Sequence, residues 1–225
     1  MDTNKSESTK QKFYSVMTGD LVASRKYQND GQQSIVRILT RMEEKIQHAF
    51  PDSVVHHISI FRGDSWQIVI KEPCLALRIA FFSRAFLLSN SGDKSLETRI
   101  GIGIGPIDYL PEDNVSAGIG EAFHLSGLAL DQIGRNHYLH FKSGNQVQDD
   151  YINVLLSLAD TISDKWSSAQ ARAVYGALQH KKQKDIARLW EPAISQQSVT
   201  RHLQRAGWKS IEKSLEWFEQ ITFDK

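Results

Sequence analysis

Two stretches of the chain alternate apolar and polar residues with a period of two. The first is ISIFRGDSWQIVI, Ile58 to Ile70, where Ile58 and Ile60 share a face before Gly63-Asp64. Trp66, Ile68 and Ile70 share a face after it. Such alternation about a Gly-Asp centre predicts a β-hairpin over 54–71, with glycine supplying positive φ at the turn. The second is TRIGIGIGPI, Thr98 to Ile107, with Ile100, Ile102 and Ile104 on one face and glycine on the other. Glycine on that face leaves room for a closely packed helix, backbone or ligand. An apolar run from Phe13 to Met17 predicts a further strand that delivers Asp20.

Between these strands the period changes to that of a helix. Ile35, Leu39, Met42, Ile46 and Phe50 predict a helix over 30–49, ended by Pro51. Pro73 can start the next, with Leu77, Ala80, Phe81, Ala85 and Leu88 on one stripe. A third, over 117–134, is expected to turn Ile119, Ala122, Phe123, Ser126, Leu130 and Ile133 inward. Tyr138 to Phe141 reads as one more short strand. The order β-α-β-β-α-β is that of the ferredoxin-like, split-βαβ fold, so the fold class is α+β.

From residue 146 onward every segment reads as helix. Tyr151, Val154, Leu155, Leu158, Ile162 and Trp166 mark a connecting helix over 146–166. An all-α unit over 167–225 follows, its first helix capped by Ser167 or Ser168. A second helix is expected near 182–190 and a third from Ser195. Trp208, Ile211, Leu215, Phe218 and Ile221 form a last stripe, read as internal packing or a dimer seam. Ahead of these, residues 1–11 have the composition of a disordered tail, and 12–145 form the α+β domain.

Composition narrows the class. Lys+Arg 27 against Asp+Glu 26 excludes a strongly basic chain, though not a local patch. The single cysteine, Cys74, excludes an internal disulfide framework and a thiol-ligated zinc site, and is read as core. The polar start MDTNKSESTKQK is no signal peptide, and no apolar run approaches a membrane span. A soluble, cytoplasmic protein is expected.

Charge is nevertheless uneven. From Arg172 to Lys209 there are eight bases and two acids, a local balance of +6. Two short helices joined by a turn in such a region suggest a helix-turn-helix, with double-stranded DNA as the partner. Candidate DNA-binding residues are Lys182, Lys184, Gln196, Gln197, Ser198, Thr200, Arg201 and Arg205, types that bond base edges or phosphates. The plainer reading is a helical unit with a solvated basic face.

The other candidate chemistry is a pair of carboxylates. Gly19-Asp20 ends the first strand and Gly63-Asp64 turns the hairpin; the expected topology brings both to one sheet edge. Asp20 and Asp64 are therefore candidate metal ligands for Mg²⁺, which takes one or two carboxylates plus substrate phosphates. Ser24 and Arg25, in the following loop, and Arg62, in the hairpin, are candidate nucleotide-binding residues. Arg25, Lys26 or Arg62 could equally neutralise the pair with no ligand.

Taken together, MTGDLVASRKY at 17–27, FRGDSWQ at 61–67, RIGIGIG at 99–105 and SAGIGEAFHLSG at 116–127 resemble the SatD family of bacterial proteins. The N-terminal domain also resembles class III nucleotidyl cyclases. Those enzymes place one metal-binding aspartate after the first strand and one in a Gly-Asp hairpin. The resemblance implies a cyclase-like domain, a nucleotide with Mg²⁺ as ligand, and a homodimer. His124 and Leu128 stand where the cyclase motif has asparagine and arginine, and leucine cannot stabilise transition-state charge. The expected function is a DNA-binding regulator with a nucleotide- and Mg-sensing domain, leaning away from catalysis. The alternatives are an active Mg-dependent nucleotidyl cyclase or nucleotidyltransferase, and a structural partner-binding protein.

Overall fold

A computed structural model describes residues 11–22, 32–90, 96–135 and 137–223. The expectations for the first ten residues, and for Ser24, Arg25 and Lys26, lie outside the described residues.

Five strands form one sheet: β1 (Phe13–Val22), β2 (Ser59–Phe61), β3 (Ser65–Ile70), β4 (Glu97–Pro106) and β5 (Leu139–Lys142). Their order across the sheet is β2-β3-β1-β4-β5. The first four are antiparallel neighbours, and β5 lies parallel to β4. With α1 (Gln32–Ala49) and α2 (Ala76–Asn90) between the strands, the ferredoxin-like β-α-β-β-α-β order is complete. The helix α3 (Glu121–Asp131) then makes the crossover that a parallel β4–β5 pair requires.

The alternation read from the sequence sorts the two faces. Met17, Trp66, Ile68, Ile70, Ile100, Ile102 and Ile104 enter the main core, which also holds α1 and α2. Val16, Val69, Val115 and Ala122 make a smaller cluster on the other face, under α3. The glycines of β4 are what let α3 approach. A Cβ on Gly101 or Gly103 would lie 2.3 Å from backbone atoms of α3. Trp66 is fully buried, its Nε1 donating to Thr98 Oγ1 at 3.0 Å, so it is a core residue.

Five helices close the chain: α4 (Gln146–Ser163), α5 (Ser168–Ala177), α6 (Gln183–Ile186), α7 (Gln196–Arg205) and α8 (Trp208–Phe218). The starts of α4, α5 and α7 each have a local cause. Asn145 accepts from the Gln148 N–H, Ser167 and Gln170 close a capping box, and Ser195 accepts from the Ser198 N–H. The helix expected over 182–190 is two pieces, α6 and a 3-10 turn at Ala187–Leu189.

These helices share the core of the sheet. α2 is buried around nearly its whole circumference because α5 and α8 cover what the sheet leaves open. Phe82 and Phe86 meet Tyr175 at 4.8 and 5.8 Å, and Phe141 meets Phe218 at 5.8 Å. Arg78 of α2 pairs with Glu219 just beyond α8.

Trp208, Ile211, Leu215 and Phe218 are buried in the shared core, so of the two readings of that stripe internal packing holds. Three expectations need correction. Ile119 is exposed, because α3 starts only at Glu121 and Ile119 instead bridges Tyr109. Tyr151, Val154 and Leu158 face outward; α4 turns Ile152, Leu156 and Ala159 into the core. Cys74 is half-buried, lining a surface cleft with Lys71 and Glu219.

Candidate functional site

The hairpin β2–β3 turns through Arg62 (φ 52) and Gly63 (φ 87), and Asp64 follows at its end. In the β1–β3 register Asp20 stands opposite Ser65, and the Leu21 N–H donates to the Asp64 carbonyl at 3.1 Å. Asp20 and Asp64 are thus brought to one end of the sheet, as the topology requires.

Asp20 has a basic partner from the neighbouring strand; Arg25 and Lys26 lie outside the described residues. The β1–β4 register sets Asp20 opposite Arg99. Arg99 Nε donates to Asp20 Oδ1 at 2.9 Å and Nη2 donates to Oδ2, a bidentate pair. The Asp20 bond holds the Arg99 pKa above its ordinary value. Beside the pair lies a cavity of about 400 Å³ lined by Leu21, Val22, Arg99, Arg135, His137 and Tyr138, among others. Asp20 does not fit a cation while Arg99 spans both its oxygens. It fits one only where the ion displaces the guanidinium. Among the described residues no group of three or more His, Cys, Asp or Glu is placed to hold a metal ion.

On the α3 face, Gln67 Nε2 donates to Thr18 Oγ1 at 2.7 Å, and Thr18 Oγ1 meets Ser126 Oγ at 2.8 Å. This buried polar chain locks the strands to the helix. His124 and Leu128 are both exposed on α3.

Behind the sheet lies a buried ionic network that sequence reasoning missed. Arg84 Nη1 donates to Asp160 Oδ1 at 2.9 Å and to Ser163 Oγ at 2.8 Å. Its Nε reaches Glu97 Oε2 at 3.4 Å, and its guanidinium lies 4.2 Å from the Tyr138 ring centre. Burial pushes the Glu97 pKa up, and the nearby Arg84 lowers it only in part. Burial, Glu97 and a hydrogen bond to Asp164 push the Tyr138 hydroxyl up to about 12.

At the far end, α5, α6 and α7 close a small core of Ile186, Ala187 and Val199, backed by Leu189, Trp190, Ile194 and Leu203. With Val199 turned in, the outer side of α7 presents Gln196, Gln197, Arg201 and Arg205, all exposed. Lys182, at the N-cap of α6, and Lys184, on it, are exposed. Ser198 and Thr200 are half-buried, and their hydroxyls are engaged. Ser198 Oγ lies 3.0 Å from Ser195 Oγ, and Thr200 Oγ1 donates to Gln183 Oε1 at 3.0 Å. Gln204, exposed on the same helix, was not singled out by its spacing. Of the eight bases counted from the sequence, Arg172 is turned inward: Nη2 donates to the Ser89 carbonyl at 3.2 Å, and the guanidinium stacks 5.5 Å from Trp190.

The SatD family profile matches residues 14–212. The chain belongs to the SatD family. A search of curated proteins returns no match. Among solved structures, the chain is similar to one described as the guanylyl cyclase Cya2. That likeness has 16% identity and a TM-score of 0.41, covering 58% of this chain and 75% of that one. No helix among the described residues is long and apolar enough to cross a membrane.

Proposed function

We propose that this SatD-family protein is a cytoplasmic, DNA-binding regulator of transcription whose C-terminal helices act as a helix-turn-helix. One observation carries the reading: the outer side of α7, the third of three short helices packed on one small core, is polar and basic with no acidic residue. Gln196, Gln197, Arg201 and Arg205 stand exposed there, beside Lys182 and Lys184. A third helix of this kind is the one that enters the major groove, where arginine reads guanine and glutamine reads adenine.

Affinity for a labelled duplex is expected to fall with salt, since lysines and arginines on phosphates release counterions. With six or more phosphate contacts the loss is ~10³-fold or greater between 50 and 200 mM salt. Arg201→Ala should weaken binding by about 1–3 kcal/mol if Arg201 reads a base edge. Its melting temperature should not change, because the side chain is exposed. Fluorescence anisotropy measures both; binding that ignores salt overturns the reading.

The α+β domain then serves as the sensor, and the carboxylate end of the sheet is the place for a Mg²⁺–nucleotide ligand. Asp20 and Asp64 would hold the ion, and the ion would supply charge to neutralise phosphate. Asp20 has two competing partners, Arg99 and the cation, so the resting ion pair acts as a latch. Calorimetric titration of ATP or GTP with Mg²⁺ is expected to show binding that Asp20→Asn with Asp64→Asn abolishes. Arg99→Gln should tighten the same binding by releasing Asp20. Metal-independent binding, or none in any variant, removes the sensor and leaves the DNA reading standing.

A further inference from the structure

α4 carries apolar side chains on two faces, and only one of them is in the core. Val147, Tyr151, Val154 and Leu158 are 64%, 70%, 64% and 64% exposed. Their spacing of four, three and four residues puts them on a single stripe. Scattered exposed apolar residues are ordinary, but a contiguous stripe is not. Among the described residues, four of the nine large exposed apolar side chains belong to this one helix.

We infer that this stripe is the seat of a second copy of the chain, in an antiparallel α4–α4 pairing about a two-fold axis. Two features favour that occupant. The first is area. Side chains of this size and exposure would each lose roughly 100–150 Å², so four on each of two copies hide ~900 Å². Half-buried Ile162 and the flanking polar residues carry the total past the ~1,000 Å² at which specific interfaces begin.

The second is charge. Asp150 stands exposed near the start of the stripe, and Lys165 is exposed just past the end of α4. On helical spacing both lie on or beside the stripe. An antiparallel pairing turns Asp150 of one copy toward Lys165 of the other; Asp164, exposed beside Lys165, accepts from the Tyr138 hydroxyl at 3.1 Å. A parallel pairing would set like charge against like. A two-fold contact is self-complementary in this way by necessity, since the same patch serves both partners. The inference goes beyond the proposed function and stands without it.

Sedimentation velocity on the full chain tests it, over a range of about 1–100 μM, where a regulatory dimer should persist. The wild-type chain is expected to sediment as a dimer. Val154→Glu with Leu158→Glu should sediment as a monomer with an unchanged circular dichroism spectrum, because neither side chain is in the core; its melting temperature should lose the concentration dependence expected of the wild-type dimer. Should that variant fail to fold, milder charge exchanges decide. Asp150→Lys alone and Lys165→Asp alone should each weaken the dimer, and the two together should restore it. A wild-type monomer across the range, or a dimer that survives the glutamates, overturns the inference. Charge exchange without restoration overturns the antiparallel seat.

Discussion

Asp160→Ala is expected to lower the unfolding free energy by about 3–5 kcal/mol, the usual cost of removing one partner from a buried ion pair. Asp160 has no solvent exposure, and Arg84 has 2%. The carboxylate of Asp160 does three things at once. It accepts from Arg84 at 2.9 Å, and from the backbone N–H groups of Tyr138 and Leu139 at 2.8 and 3.0 Å. Alanine leaves a buried cation and two buried donors at the start of β5. Glu97 is a weak substitute, since it meets Arg84 only at 3.4 Å and burial already disfavours its charged form. Asp160→Asn should cost less, because an amide oxygen still accepts. Replacing both partners, Arg84→Met with Asp160→Leu, should recover the part due to the unpaired cation and not the part due to the Tyr138 and Leu139 N–H groups, which still lose their acceptor. Urea unfolding followed by circular dichroism measures all three. A loss below about 1 kcal/mol for the alanine variant would mean that the network contributes little.

That network illustrates what the sequence hid. Arg84, Glu97 and Asp160 are far apart in the chain, and each alone reads as a solvated charge. Only the packing of α4 against α2 and β5 makes them one cluster. Asp20 shows the same limit at shorter range. Its cation was sought among Arg25, Lys26 and Arg62, neighbours of the two aspartates in the chain. The antiparallel register of β1 and β4 sets Arg99 against Asp20, 79 residues away in the chain.

What alternation and capping could say was legible. The hairpin, the glycine strand, the order of elements and the serine cap of α5 all follow from local patterns that the fold did not need to override. α4 failed for a definite reason. It has two apolar stripes, and periodicity cannot say which of two faces the core. The terminal stripe of α8 was open between packing and a seam, and α2, buried almost all round, used it as cover. For the candidate sites, spacing found the ends of the sheet and the outer side of α7. It could not show that the hydroxyls of Ser198 and Thr200 are engaged by their neighbours.

Gly103→Ala is the second large effect expected, and it tests the joint between β4 and α3. The strand turns Ile102 and Ile104 into the main core and lays its glycines directly under α3. A Cβ at Gly103 would lie 2.3 Å from the Ala122 carbonyl oxygen and 2.3 Å from the Ser126 nitrogen. Both are backbone atoms of a helix, so no rotamer change can clear them. α3 would have to lift from the sheet as a unit. Lifting it breaks the buried Thr18–Ser126 bond and loosens Gln67 behind it. Overpacking a core typically costs about 1–3 kcal/mol, with side chains yielding. Here they cannot, and a loss of about 3 kcal/mol or more is expected. The control is on the opposite side of the joint. Gly127 lies in α3, and a Cβ there meets nothing within 4 Å. Gly127→Ala should raise stability by about 0.5–1 kcal/mol, the helix preference for alanine over glycine. Thermal melts of the two variants should therefore move in opposite directions from wild type. A Gly103→Ala melt that coincides with wild type would show that α3 can ride off the sheet freely, and the close packing of this joint would then be wrong.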